Sequence, residues 1–100
     1  MFKQTIIFWR DIPSQVIVQK GRKREKALLS PRFQEAIDRA AMRAGKGSSK
    51  AYMEDWRRDS TSFESSDTMS EIVLREAAQL EDGMSDEKLL ALIRNHGLEK

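Results

Sequence analysis

The first twenty residues alternate between bulky apolar stretches and short polar interruptions. The segment 2–9, FKQTIIFW, is rich in β-branched and aromatic residues and lacks Gly and Pro, which favours a β-strand. The segment 15–20, QVIVQK, predicts a second strand. Between them, Asp11 can hydrogen-bond its own backbone and Pro13 fixes φ. The pattern therefore predicts an antiparallel hairpin joined by the five-residue connection RDIPS.

Four later segments carry apolar residues at the spacing of an amphipathic helix. Each is preceded by a residue suited to cap a helix N-terminus, the candidates being Ser30, Ser48 or Ser49, Thr68 and Ser85. Glu71 stands three residues after Thr68 and completes a capping box. Tyr52, Met53 and Trp56 are placed on one side of the short second helix. Glycines 45, 83 and 97 are predicted to end the other three.

The polar segment 59–67, DSTSFESSD, is interpreted either as a loop or as a short edge strand around Phe63, within residues 60–65. Strands followed by helices predict a single domain over residues 1–100 with an α+β fold. Its sheet is expected to be small and antiparallel, made of the N-terminal hairpin and a possible third strand at the edge. About four helices are expected to cover one face of this sheet.

The charge is distributed unevenly along the chain, although the net charge is only +2. Residues 1–50 hold 12 Lys/Arg and 4 Asp/Glu (+8), and residues 51–100 hold 6 and 12 (−6). This split is compatible with a basic face for an acidic partner, or with two halves that attract each other within one fold. The densest basic cluster is interpreted as a loop and comprises Lys20, Arg22, Lys23, Arg24 and Lys26.

Few residues suit catalysis or metal binding. The absence of Cys excludes disulfides, thiolate metal sites and a Cys nucleophile. The only histidine, His96, falls in the last turn of the fourth predicted helix, where the helix dipole accounts for it. The segment GKGSSK lacks the first Gly of a phosphate-binding loop, and the carboxylates lack the spacing of a Ca²⁺ loop. We therefore predict no catalytic residue, metal or cofactor.

Two short segments place Trp beside Arg, with an Asp one or two positions away: WRD at 9–11 and DWRR at 55–58. Trp and Arg are enriched at the energetic centres of protein interfaces. One hypothesis is that both clusters lie close together and form a patch that faces a partner. The alternative is that both indoles are core residues and the Arg–Asp pairs are surface bridges. The candidate contact residues, added to the basic cluster, are Trp9, Arg10, Trp56, Arg57 and Arg58.

Four separated blocks resemble a small bacterial family known as the virulence factor domain: IIFWRDIPSQVIV, SPRFQEAIDRAAMRAG, YMEDWRR and SDEKLLALIRNHG. The resemblance covers most of residues 1–97 and is weakest through 59–67. The family includes free-standing chains of about this length and a domain of larger proteins called conserved virulence factor C. It brings no catalytic or ligand residues with it. Free-standing members resemble proteins encoded beside methyltetrahydrofolate and corrinoid methyl-transfer enzymes, which implies an accessory role beside such an enzyme.

These observations favour a non-enzymatic interaction module, accessory to a larger bacterial enzyme or regulatory complex, with a methyl-transfer enzyme as one candidate partner. The alternative is nucleic-acid binding through the basic segment 20–26. A third class, a small enzyme or ligand binder, would need a deep pocket with convergent polar groups. No apolar run approaches the roughly 20 residues of a membrane helix. Without the pattern of a signal peptide, a cytoplasmic location is expected.

Overall fold

Antiparallel strands and helices make up most of the chain in the computed structural model. The structure describes residues 1–46 and 48–99, except the side chain of Ser49. This content of strands and helices confirms the predicted α+β class. In chain order the elements are β1 (Phe2–Trp9), β2 (Ile12–Lys20), β3 (Lys23–Leu28), α1 (Pro31–Arg43), α2 (Ser49–Glu54), β4 (Trp56–Phe63), α3 (Met69–Gly83) and α4 (Asp86–Arg94).

The sheet has the strand order β3-β2-β1-β4, and every neighbouring pair is antiparallel. The predicted five-residue connection between β1 and β2 is wrong, because Trp9 already pairs with Ile12. Only Arg10 and Asp11 form the turn, and Arg10 takes a left-handed φ of 53° there. Pro13 lies inside β2, beside an irregularity in the register between Ile7 and Phe8. A bulge of this kind tolerates Pro because the ladder is already interrupted.

Two further strands differ from the predicted pattern. The basic segment 20–26 is not a loop: Gly21, with φ 61°, starts a tight turn, and β3 pairs with β2 from there on. A sheet edge accepts charged residues on both sides, which hides such a strand from hydrophobic periodicity. Of the two interpretations of the polar segment 59–67, the structure has the edge strand, which begins earlier, at Trp56, and ends at Phe63. The spacing of Tyr52, Met53 and Trp56 predicts a helical position for Trp56, which is wrong because α2 ends at Glu54 and Trp56 pairs with Trp9 as the first residue of β4.

The core lies between one face of the sheet and the helices. Helices α1 and α3 pack against β2, and α4 packs against α1. The predicted caps of the last two helices are confirmed, because the Thr68 and Ser85 hydroxyls accept hydrogen bonds from the N–H groups of Glu71 and Lys88. The largest fully buried side chains are Trp9, Ile12, Pro13, Val16, Val18, Phe33, Ile37 and Ile72.

A carboxylate of α3 caps the first helix from outside. Ser30 occupies the predicted N-cap position of α1, but its hydroxyl makes no bond to the helix backbone. Instead its N–H and hydroxyl bond to the Glu81 carboxylate at 2.6 and 2.9 Å. Arg32 donates to the same carboxylate at 3.2 Å and pairs with Asp86 of α4 at 3.0 Å. These contacts join the starts of α1 and α4 to the end of α3.

The turn between β1 and β2 holds the C-terminal segment, an arrangement we call the C-terminal clasp (residues 9–11 with 96–99). The Asp11 N–H donates to the Gly97 carbonyl at 2.8 Å, and the Asp11 carboxylate accepts from the Glu99 N–H at 2.8 Å. Gly97, with φ 86°, lies against the indole of Trp9, and a Cβ at this position would sit 2.8 Å from Cζ3. Trp9 has no exposed surface and donates from Nε1 to the Tyr52 carbonyl at 2.8 Å.

Helix α4 ends earlier than the sequence predicted. It stops at Arg94, and His96 follows in the left-handed region with φ 62°. The N–H groups of His96 and Gly97 donate to the carbonyls of Ile93 and Leu92 at 3.1 and 2.7 Å. This is the Schellman pattern, with His96 where glycine is usual. His96 is thus an exposed residue beyond the helix end, and its carbonyl accepts from Arg10 at 2.8 Å.

We expect Gly97→Ala to destabilise the protein more than Gly45→Ala. Both glycines have left-handed φ, 86° and 72°, so each substitution costs about 1–2 kcal/mol in backbone strain. A Cβ at Gly45 meets nothing within 4 Å, whereas one at Gly97 collides with Trp9. Overpacking should cost Gly97→Ala about 1–3 kcal/mol more. Urea unfolding monitored by Trp fluorescence measures both losses, and equal losses would show that the indole contact adds nothing.

We expect Glu81→Gln to make the free energy of unfolding depend less on pH in the acid range. Burial alone would raise the pKa of the Glu81 carboxyl, but bonds from Ser30 and Arg32 outweigh it, so the net pKa lies below its ordinary 4.5. A lowered folded-state pKa stabilises the fold above the unfolded value, and this contribution disappears as pH falls through the folded value. Wild type should therefore exceed Glu81→Gln in stability at pH 7 and converge with it in acid.

The measurement is the free energy of unfolding from urea titrations between neutral pH and about pH 3, within the range where such carboxyl groups titrate. Glu87→Gln, which removes an exposed carboxylate of α4, is the matched control. A constant gap between wild type and Glu81→Gln at every pH would contradict the assigned role of the Glu81 carboxylate.

Candidate functional site

One face of the sheet is not covered by the helices. Paired residues of neighbouring strands point to the same side, and successive residues alternate. Val16 and Val18 belong to the core, and Ile6 and Ala27 pack against it, whereas Ile7 and Ile17 point the other way and belong to neither group. The register places twelve residues on this side, in three cross-strand rows: Arg24-Gln19-Lys3-Ser62, Lys26-Ile17-Thr5-Ser60 and Leu28-Gln15-Ile7-Arg58. We call this surface the open face.

The open face is basic. Lys3, Arg24, Lys26 and Arg58 are its charged residues, all exposed, and no carboxylate is among the twelve. None of the four forms an ion pair with the described residues. Strand and residue spacings make the backbone of this face about 14 Å by 14 Å. Four uncompensated positive charges therefore share a small surface.

The middle of the open face is apolar and hydroxylic. Ile17 is only 6% exposed although no helix covers it, because Lys26 and Thr5 flank it across the neighbouring strands. The hydroxyls of Thr5 and Ser60 are hydrogen-bonded at 2.9 Å. Leu28, at the edge, is 68% exposed. An apolar centre with Arg and Lys around it is a common arrangement at protein interfaces.

The predicted basic cluster is divided by strand alternation. Arg24 and Lys26 lie on the open face, but Lys20 and Lys23 pair with each other on the opposite side. The Lys20 ammonium lies 5.0 Å from the ring centroid of Phe2, and Arg22 lies in the turn. Since β3 is a strand and not a loop, these five residues cannot grip one ligand together.

Lys3 completes the basic surface, and sequence analysis missed it. It stands alone in an apolar segment, so no charge cluster marks it. It shares a row with Arg24 through Gln19, and this follows only from the register of three strands. The alternation of side chains along β1 predicts that Lys3 and Ile7 share a side of the strand. It does not predict that Lys3 lies in the same row as Arg24 of β3.

The two Trp-Arg clusters lie together, as predicted. Trp9 pairs with Trp56 across β1 and β4, and the Arg57 Nε donates to the Arg10 carbonyl at 2.9 Å. Trp9, however, is fully buried, and Arg10 is bound to the Asp55 carboxylate at 3.2 Å. Both residues therefore hold the C-terminal clasp and leave little surface for a partner.

The remaining arginines of the second cluster have separate roles. Arg57 bonds Asp59 and Asp11 at 2.6 and 3.2 Å, and its guanidinium lies 4.3 Å from the Phe8 ring centroid. The hydrogen bond to Asp59 raises the pKa of Arg57, against a smaller lowering by partial burial. Arg58 points to the opposite side of β4, on the open face. Of this cluster, Arg58 is the residue placed to contact a partner through the open face.

The open face offers ionic and apolar binding, and its side chains include no carboxylate, imidazole or thiol. A groove of about 520 Å³ lies elsewhere, between α4, the end of α3 and the C-terminal segment. Within residues 1–46 and 48–99, no three His, Asp or Glu side chains group as metal ligands would. The same part of the chain contains no helix with the length and apolar character needed to cross a membrane.

Comparison with known proteins adds one finding. The family model described as "Virulence factor" matches residues 7–93, a range that runs from within β1 almost to the end of α4. No curated protein and no solved structure matches the chain. The matched range includes ten of the twelve open-face residues, all but Lys3 and Thr5. Because the match spans most of its length, the chain belongs to the virulence factor family.

Proposed function

We propose that this protein is a non-enzymatic interaction module that docks its open face on an acidic surface of a larger bacterial enzyme or regulatory complex. The observation that carries the proposal is the set of four cations without a carboxylate partner: Lys3, Arg24, Lys26 and Arg58. Elsewhere in the described chain, Arg10, Arg32 and Arg57 each bond a carboxylate. Other exposed cations, such as Arg22 and Arg39, also have no ion pair among the described residues. What distinguishes the open face is that the strand register gathers four such cations on one side of the sheet, with no carboxylate among its twelve residues.

The electrostatics of the open face favour an acidic partner. Arg24 and Lys26 are two residues apart on β3, and Lys3 lies two strands from Arg24, so these cations repel one another most strongly at low ionic strength. A carboxylate-rich surface would relieve this repulsion and steer the encounter. Leu28, which is 68% exposed, would supply apolar contact beside the charged groups.

The open face suits a protein better than a nucleic acid. Modules that bind single strands stack bases on aromatic side chains, often on the exposed face of a sheet. None of the seven aromatic residues is among the twelve of the open face: Phe2 and Trp9 are buried, Phe63 stacks on Phe2, and Trp56, two positions before Arg58, packs against the core. Phosphate contact through the four cations remains the alternative function.

The partner class comes from the family resemblance. Free-standing relatives encoded near methyl-transfer enzymes make such an enzyme the first candidate for the acidic surface. In this proposal the chain contributes binding and no reaction step. Its role would be that of an accessory subunit, placed against the enzyme by the open face.

We expect the double substitution Arg24→Glu/Lys26→Glu to abolish recovery of the partner in affinity purification from the native host. Arg22→Glu/Lys23→Glu is the matched control, because it reverses two charges in the same segment but away from the open face. Both variants change the net charge from +2 to −2. Loss of complementary charges should weaken binding about tenfold or more in the first variant alone. Equal loss in both variants, or no partner with wild type, would contradict the proposal.

Salt and nuclease treatment separate the two functions. Binding to nucleic acid should weaken steeply with the logarithm of salt concentration, ignore sequence and disappear from lysates treated with nuclease. Docking on a protein should survive nuclease and depend less steeply on salt, because apolar contact contributes to it. Recovery of nucleic acid alone, lost with Arg24→Glu/Lys26→Glu, would establish the alternative.

A further inference from the structure

Strand β4 forms an edge of the sheet. In the described part of the chain it pairs with β1 alone, and residues 57–62 are all exposed. An edge strand presents a row of backbone N–H and C=O groups that can pair with another strand. The other edge, β3, is protected differently: α3 packs against it, and three of its six residues are Lys or Arg. Charged edges of this kind resist strand addition.

The geometry of β4 suits an incoming strand. Its register with β1 runs without a shift from Phe2 opposite Phe63 to Trp9 opposite Trp56. The strand contains no Pro and no bulge. Ser60, Thr61 and Ser62 are small and uncharged, so another backbone can approach closely. The devices that usually block edge pairing are therefore confined to Arg57, Arg58 and Asp59 at one end.

The two sides of an added strand would meet different surfaces. On the open face, alternate side chains of the added strand would lie beside Arg58, Ser60 and Ser62. On the helix side, a groove of about 360 Å³ separates β4 from α3, and its lining combines Phe63 and Ile72 with polar residues and charges of both signs, among them Arg75 and Glu76. This groove leaves room for the other alternate side chains. The required sequence thus repeats every two residues, acidic on one side and small and uncharged on the other.

We propose that the partner binds by adding a strand to β4, antiparallel to it, in which acidic residues alternate with small uncharged ones such as Val or Thr. The main chain of the incoming strand pairs with the free backbone groups of β4, and an acidic side chain lies opposite Arg58. This inference rests on the proposed function and names the element through which the partner engages. The added strand becomes the fifth of the sheet and continues the open face.

The test uses synthetic capped peptides of eight residues, the length of β4, in which Glu alternates with Val or Thr. Two further peptides carry N-methyl groups on one or the other alternate set of residues. Only one set of N–H groups can point toward β4, so one methylated peptide should lose binding about tenfold or more and the other should bind like the unmodified peptide. Titration calorimetry measures the affinities with the full chain.

Amide chemical shifts locate the peptide, and those of Trp56–Phe63 should change more than those of Lys23–Leu28. Arg58→Glu should weaken the Glu peptide and favour the matching Lys peptide, which distinguishes contact from unfolding. Equal binding of all three Glu peptides, shifts confined to β3, or no binding by any peptide would overturn strand addition. The proposed function is judged separately, by loss of the native partner with Arg24→Glu/Lys26→Glu.

Discussion

The position of Trp9 against Gly97 is the constraint on which the rest of the structure depends. The indole ends β1, is fully buried, and bonds the Tyr52 carbonyl of α2. Its ring can lie there only because residue 97 has no side chain. This contact fixes the C-terminal segment on the β1–β2 turn, where Arg10 and Asp11 bind its backbone. Strand β1, at the centre of the sheet, is thereby linked to the segment before β4 and to the end of α4.

Because side chains alternate along each strand of this sheet, the basic residues lie on different sides of it and make different contacts. Three of the residues on a turn or on the other side of the sheet, Arg10, Lys20 and Arg57, contact a carboxylate or an aromatic ring. The four on the open face have no such partner in the described chain. A difference of one position along a strand therefore separates a residue that supports the fold from one available to another molecule.

Sequence patterns predicted those features that depend on neighbours along the chain. The caps at Thr68 and Ser85, the strand 2–9 and the fold class belong to this group, because capping and periodicity are local properties. The start of β2 and the strand β3 were missed, since a bulge around Pro13 and a charged edge both depart from hydrophobic alternation. The open face was only partly predicted. Arg24, Lys26 and Arg58 were among the predicted contact residues. Their position on the same face as Lys3 follows only from the pairing of strands that are far apart in sequence.

The clasp has a mechanical consequence. The chain enters the fold at Phe2, at one end of β1, and its last described residues are bound beside Trp9, at the other end. β1 is about 24 Å long at the usual rise per residue. Where such a domain is joined to neighbours on both sides, tension between them would run along the length of β1. The covalent backbone of β1 and the hydrogen bonds of the clasp would carry this load in series, so the clasp would open before the sheet does.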